Sequence, residues 1–150
     1  SERPAWRLTG VDRMAEAVAL AARNRTRLKL SNSAFVESHW FSALAGQRFQ
    51  LIVSNPPYIA ADDQHLAQGD VRFEPSSALV AGKDGLDDIR LIIEQAPDYL
   101  EADGWLLLEH GFDQAAAVRE LLSARGFSAV ESRRDLAGHE RISLGRFDNE

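Results

Sequence analysis

The sequence predicts an α/β domain with a mostly parallel sheet, and two observations carry that prediction. Strand-like apolar runs alternate with helix-like runs from one end of the chain to the other, the pattern that lays helices on the faces of a parallel sheet. The composition is that of an ordinary globular chain, 45% apolar and 27% charged over 150 residues. A single domain of this length buries roughly two thirds of its unfolded surface.

The elements follow in order. Trp6 to Val11 reads as a strand. Met14 to Arg23 reads as a helix with Met14, Val18 and Ala21 or Ala22 on one face, and Asp12 is placed to cap its start. Leu28 to Asn32 reads as a short second strand, with a turn of helix from Trp40 to Leu44. Phe49 to Ser54 is the third strand. Residues 59 to 85, rich in Asp, Gly, Ser and Pro, are too long for a plain connection and mark a functional loop. Leu86, Ile89, Ile93 and Ala96 then trace one helix face, which Pro97 should kink or end. Trp105 to Glu109 is a buried strand, Gln114 to Arg125 a helix closed by Gly126, and Ala129 to Arg133 with Arg141 to Phe147 a final strand pair. No repeat or linker interrupts this order, so one domain is expected.

Several function classes are disfavoured. A net charge of −6 argues against a free-standing nucleic-acid binder, which needs a basic face for phosphates. Cysteine is absent, which removes disulfides and thiolate zinc sites and is compatible with the cytoplasm. No apolar run has the length of a membrane span, and Ser1-Glu2-Arg3-Pro4 does not form a signal peptide. The reading is a soluble intracellular domain. His39, His65, His110 and His139 lack metal-ligand spacing, so no metal site is expected.

The passage "FQLIVSNPPYIA", residues 49 to 60, concentrates the chemistry. A strand pattern runs into Asn55-Pro56-Pro57-Tyr58, where two successive residues lack the N–H that a ladder requires. The site falls at the carboxyl end of a strand, where open parallel sheets bind their ligands. Both prolines fix φ, and Pro56 pushes Asn55 out of the helical region. An Asn oxygen beside a fixed carbonyl offers two acceptors to one –NH2 group, and Tyr58 offers a flat apolar wall. This is a clamp for a neutral nitrogen nucleophile. The plain alternative is an Asn-Pro turn and nothing more.

With these residues in view the chain resembles class I S-adenosylmethionine-dependent methyltransferases acting on amino nitrogens, above all the HemK-type release factor glutamine methyltransferases. The resemblance runs through "VDRMAEAVALAARN", "WFSAL", "IVSNPPYI", "GDVRFEPSSALVAGKDGLDDIR", "LLLEHG" and "RDLAGHERISLGRF". It implies a Rossmann-like sheet of order 3-2-1-4-5-7-6 with the seventh strand antiparallel. It also implies methyl transfer from S-adenosylmethionine to the amide nitrogen of the glutamine in the Gly-Gly-Gln loop of peptide chain release factors.

By that resemblance Asn55 and the Pro56 carbonyl bind the amide, Pro57 and Tyr58 complete the substrate wall, and Glu74 stands on the substrate-side loop. Asp12, at the end of "RLTGVD", matches the acidic residue that binds ribose hydroxyls, with a simple helix cap as the alternative. Asn55 also borders the cofactor. At the position before Trp40, usually acidic in the family and directed at the adenine amino group, this chain has His39. Neutral imidazole still offers one acceptor, which would keep that contact in a weaker, pH-sensitive form unless His39 is a plain surface-loop histidine; Trp40, through packing or its backbone, is the stronger adenine contact. Glu109 and His110 are expected to be structural.

The glycine-rich cofactor loop is missing: no G-x-G occurs anywhere in the chain, although close backbone approach to such a cofactor needs glycine. The resemblance places that loop and the first strand upstream of Ser1, after a helical substrate domain. The chain is therefore expected to be the carboxyl-terminal part of the catalytic domain, with two unpaired sheet edges that invite self-association, weak cofactor binding and no turnover alone. Two other readings stay open. An adenine or guanine amino-group methyltransferase on DNA or RNA shares the quartet, although the basic runs Arg23 to Lys29 and Arg133-Arg134 lie far from it in sequence. A non-catalytic methyltransferase module is the other.

Overall fold

The computed structural model describes residue 3 and residues 5–58 and 84–148. Most of the predicted functional loop, with Asp62, Asp63, His65 and Glu74, lies outside the described residues. The chain divides into two compact units, residues 1–47 and 48–150.

The first unit is a β-α-β motif. Strand β1 (Leu8–Asp12) pairs in parallel with β2 (Ser33–Glu37), from Leu8 opposite Ser33 to Asp12 opposite Glu37. A parallel pair needs a crossover, and helix α1 (Ala15–Leu28) supplies it. Gly10 faces Phe35 across the pair, and a Cβ on Gly10 would come within 2.7 Å of the Phe35 ring. The missing side chain is what lets the ring lie over the neighbouring strand.

Here the sequence reading is corrected at the second strand. Residues 28 to 32 are not a strand: α1 runs on to Leu28, and Lys29 takes the left-handed conformation at φ 56°. The Leu30 N–H then donates to the Arg25 carbonyl at 3.0 Å, closing the helix. Asn32 ties the following turn down, its Nδ2 donating to the Trp6 carbonyl at 3.0 Å and the Arg3 carbonyl at 3.2 Å. The strand starts only at Ser33. Residues 40–43 form turns rather than a turn of helix, because Trp40 itself sits at φ 55°, outside the helical region.

The second unit is a four-stranded sheet of order β3-β4-β6-β5. Its strands are β3 (Phe49–Ser54), β4 (Leu100–Glu109), β5 (Ser128–Arg134) and β6 (Glu140–Phe147). β3 and β4 are parallel, while β6 runs antiparallel to both β4 and β5. In the expected numbering the two sheets read 3-2 and 4-5-7-6 with the seventh strand antiparallel, which agrees with the sequence expectation.

Helix α3 (Ala115–Arg125) packs on β5 and β6, and helix α2 (Asp87–Gln95) packs against α3 and the 3-10 turn that precedes β4, each with buried apolar residues. Leu86, Ile89, Ile92, Ile93 and Ala96 are buried with Val118, Leu122, Leu100, Leu106 and Leu108. Pro97 acts as expected: the α-helix stops at Gln95 and a 3-10 turn, Ala96–Tyr99, leads into β4. Gly126 closes α3 at φ 105°. β4 starts five residues earlier than the apolar run suggests, and its register with β3 shifts between Phe49 and Leu51.

Candidate active site

In the first unit the carboxyl ends of β1 and β2 carry Asp12 and the turn from Ser38 to Ala43. The exposed Asp12 carboxylate accepts the Met14 N–H at 2.8 Å through Oδ1, and its carbonyl accepts the Ser38 N–H at 2.9 Å. Buried Ser38 organises the turn: its hydroxyl donates to the Trp40 carbonyl at 2.8 Å and accepts the Ala43 N–H at 3.0 Å. Ser42 Oγ accepts the His39 N–H at 3.1 Å. Trp40 is half-buried, and its indole Nε1 is buried with no hydrogen-bond partner among the described residues. His39 is exposed, its ring edge-on to Trp40 with centroids 6.3 Å apart. Asp12, His39 and Trp40 therefore share one end of the β1–β2 pair.

Asp12 does not cap α1 as the sequence suggests: the N-cap is Met14, without a side-chain cap bond, and Asp12 Oδ1 instead closes a turn onto the Met14 N–H, so the carboxylate keeps further acceptor capacity.

In the second unit the quartet follows β3 directly. Asn55 is exposed, Pro56 is fully buried, and Pro57 and Tyr58 are half-buried. Every peptide bond described is trans. Burying Pro56 roots the turn in the core while Asn55 stands outside it, and the fixed φ angles leave little play between them. Tyr58 is held by its backbone: its carbonyl accepts Nε2 of Gln114 at 2.9 Å. Gly85, at φ 77°, lies so close that a Cβ there would come within 2.1 Å of the Tyr58 carbonyl oxygen. Only glycine fits, for both its φ and its space.

Beside the quartet stands the carboxyl end of β4, since Ser54 pairs with Leu108. His110 is completely buried, with Nδ1 2.8 Å from the Gly111 carbonyl and Nε2 2.7 Å from Ser143 Oγ. Burial pushes its pKa below the ordinary value, because the charged form loses its water. His110 is thus closed to solvent with both ring nitrogens hydrogen-bonded, and Glu109, the last residue of β4, is half-buried. Among the described residues no group of three His, Asp or Glu could hold a metal ion, and no helix is long and apolar enough to cross a membrane.

Sequence reasoning missed Gln114, read only as a helix start, and with it Asp84 and Gly85. The Asp84 carboxylate accepts the Leu86 N–H at 3.1 Å and is ion-paired with Arg90. The Arg90 guanidinium, together with that N–H, holds the Asp84 pKa below the usual carboxylate value. The signal was the unusual Asp-Gly before an apolar helix.

Residues 1–79 match the family model described as the methyltransferase small domain. This chain belongs to that family. Among curated proteins, this methyltransferase small domain chain is 67% identical to the release factor glutamine methyltransferase of Pseudomonas aeruginosa, over 98% of its own length and 53% of that protein. The chain spans about half the length of the curated relatives it matches. Among solved structures it is similar to a methyltransferase from Pyrococcus furiosus at TM-score 0.68 and 21% identity, over 96% of this chain and 64% of that one. A release factor-specific protein-(glutamine-N5) methyltransferase from Alicyclobacillus acidocaldarius gives TM-score 0.52 and 23% identity, covering 96% and 81% of the two chains. The fold is therefore that of the class I methyltransferases, as the α/β pattern and strand order led one to expect.

Proposed function

We propose that this chain forms part of an S-adenosylmethionine-dependent methyltransferase that modifies the side-chain amide of the Gly-Gly-Gln glutamine in peptide chain release factors. The observation that carries the reading is the placing of an exposed Asn55 on a buried Pro56 at the carboxyl end of β3. High identity to a release factor glutamine methyltransferase over nearly the whole chain supports it.

An amide nitrogen is a poor nucleophile, because its lone pair is delocalised into the carbonyl. Asn55 Oδ1 and the Pro56 carbonyl accept its two hydrogens and turn the nitrogen toward the methyl donor. As the N–C bond forms, the methyl carbon's bond to the donor sulfur breaks and leaves a neutral thioether; the nitrogen gains positive character, which these same acceptors stabilise until one N–H proton passes to solvent beside the exposed Asn55. Tyr58, with Pro57, walls the planar amide and excludes water from it. Asp12 binds ribose hydroxyls, and Trp40, more than His39, takes the adenine. S-adenosylmethionine supplies an electrophilic methyl group on a sulfonium.

The test is methyl transfer from radiolabelled donor by the full-length protein. Label should enter a release factor and be lost when the glutamine of its Gly-Gly-Gln loop is replaced. Label entering DNA or RNA while the release factor stays unlabelled would overturn the reading.

A further inference from the structure

Gln114 lies at the foot of α3 and joins three stretches of chain that are distant in sequence. Its Oε1 accepts the Gly111 N–H at 2.7 Å, just after β4. Its Nε2 donates to the Tyr58 carbonyl at 2.9 Å and to the Asp84 carbonyl at 3.1 Å, across 56 and 30 residues of sequence. One oxygen meets a donor and both amide hydrogens meet acceptors, so the amide has a single satisfactory orientation. Turned over, it would set an oxygen against two carbonyls and an –NH2 against an N–H.

We infer that Gln114 is a positioning residue for methyl transfer, fixing the Tyr58 carbonyl and through it the Asn55 and Pro56 acceptors. The inference rests on the reading of the quartet under Proposed function. The route is short and stiff: Tyr58 is three residues from Asn55, and the two between are prolines whose φ cannot adjust. Gly85 lies beside this hydrogen bond, where a Cβ would come within 2.1 Å of the Tyr58 oxygen and 2.7 Å of Gln114 Nε2. Asp84, which shares the Gln114 amide, is held by Arg90 and by the Leu86 N–H, so the clamp is footed on α2 as well. A carbonyl gripped in this way leaves the quartet one place to stand.

Two variants of the full-length protein test this. Gln114→Glu keeps an acceptor for Gly111 but loses both donors and sets a carboxylate against two carbonyls. Gln114→Met fills the space with no hydrogen bonds. Release factor methylation is followed as kcat per donor-binding site, so that loss of folded protein is not counted, alongside KM and the donor Kd. A displacement of about 1 Å at the reacting nitrogen costs on the order of 100-fold, so kcat should fall by roughly 30-fold or more with the donor Kd within about threefold. Gln114→Glu should be at least as impaired as Gln114→Met. A kcat per site within about threefold of wild type for both variants would overturn the inference, as would a loss that vanishes once folded protein is counted. Asn55→Ala in the same assay separates the two ideas. If it abolishes transfer while both Gln114 variants stay active, only the positioning role falls. If Asn55→Ala transfers at full rate, the reading of the quartet falls and the positioning role with it.

Discussion

Arg119 Nη1 donates to Ser132 Oγ at 2.7 Å, Ser132 lies 2.7 Å from Ser143 Oγ, and Ser143 in turn meets His110 Nε2. Because the guanidinium can only donate and the Gly111 carbonyl only accept, every hydroxyl in this row points toward the imidazole, which is neutral with its proton on Nδ1. A protonated His110 would need to donate at both nitrogens and would reverse the row, with Arg119, Arg141 and Glu140 the charges around it. Its pKa is lower folded than unfolded, so the unfolded chain binds more protons below the ordinary value of 6.5. Stability is therefore full above about 6.5 and declines as the pH falls toward the folded pKa. Ser143→Ala leaves Nε2 without its donor in the core and should cost roughly 1–3 kcal/mol, read from urea denaturation at neutral pH. Asp12 answers a different question. Asp12→Asn keeps an oxygen for the Met14 N–H but removes the charge, so donor affinity should fall about tenfold to hundredfold with no more than a small change in Tm. Unchanged donor affinity in Asp12→Asn would leave Asp12 with its turn bond to Met14 alone.

At the level of elements, α2 anchors the second unit through Ile89, Ile92 and Ile93, all buried. Ile92→Ala should cost about 2–5 kcal/mol by chemical denaturation, since the side chain is fully buried and its truncation leaves a cavity. This helix was legible because its apolar spacing was regular and Pro97 marked its end. β3 was legible to the residue, Phe49 to Ser54, because Asn-Pro-Pro stops a ladder without ambiguity. The second strand was not. The apolar spacing ends the predicted helix at Arg23, whereas α1 runs on to Leu28 and the left-handed cap is taken by Lys29, a residue with no cap signal in sequence. Once that stop was missed, the apolar Leu28 and Leu30 looked like strand. β4 hid its first half for a related reason: Glu101-Ala-Asp-Gly104 has the composition of a turn, and Asp103 does take φ 62°, yet the segment still belongs to the strand. Gln114 could not be read at all, since its bonds span 56 and 30 residues and no local pattern encodes them.

For the molecule as a whole, alternation of elements gave the α/β class, but it could not order the strands. That came from the resemblance, and the orders β1-β2 and β3-β4-β6-β5 agree with it. The candidate site was readable as a compact motif, Asn55 to Tyr58, and one acidic residue, Asp12, because both fall at the carboxyl ends of strands the sequence marks. The central claim is that Asn55 aligns an uncharged amide for methylation, and its most direct measurement compares wild type with Asn55→Ala in the full-length protein, counting methyl groups delivered to the release factor glutamine. Loss of an oriented acceptor should lower kcat by on the order of 100-fold with donor affinity changed by no more than about threefold. Methylation at the wild-type rate by Asn55→Ala would contradict the claim.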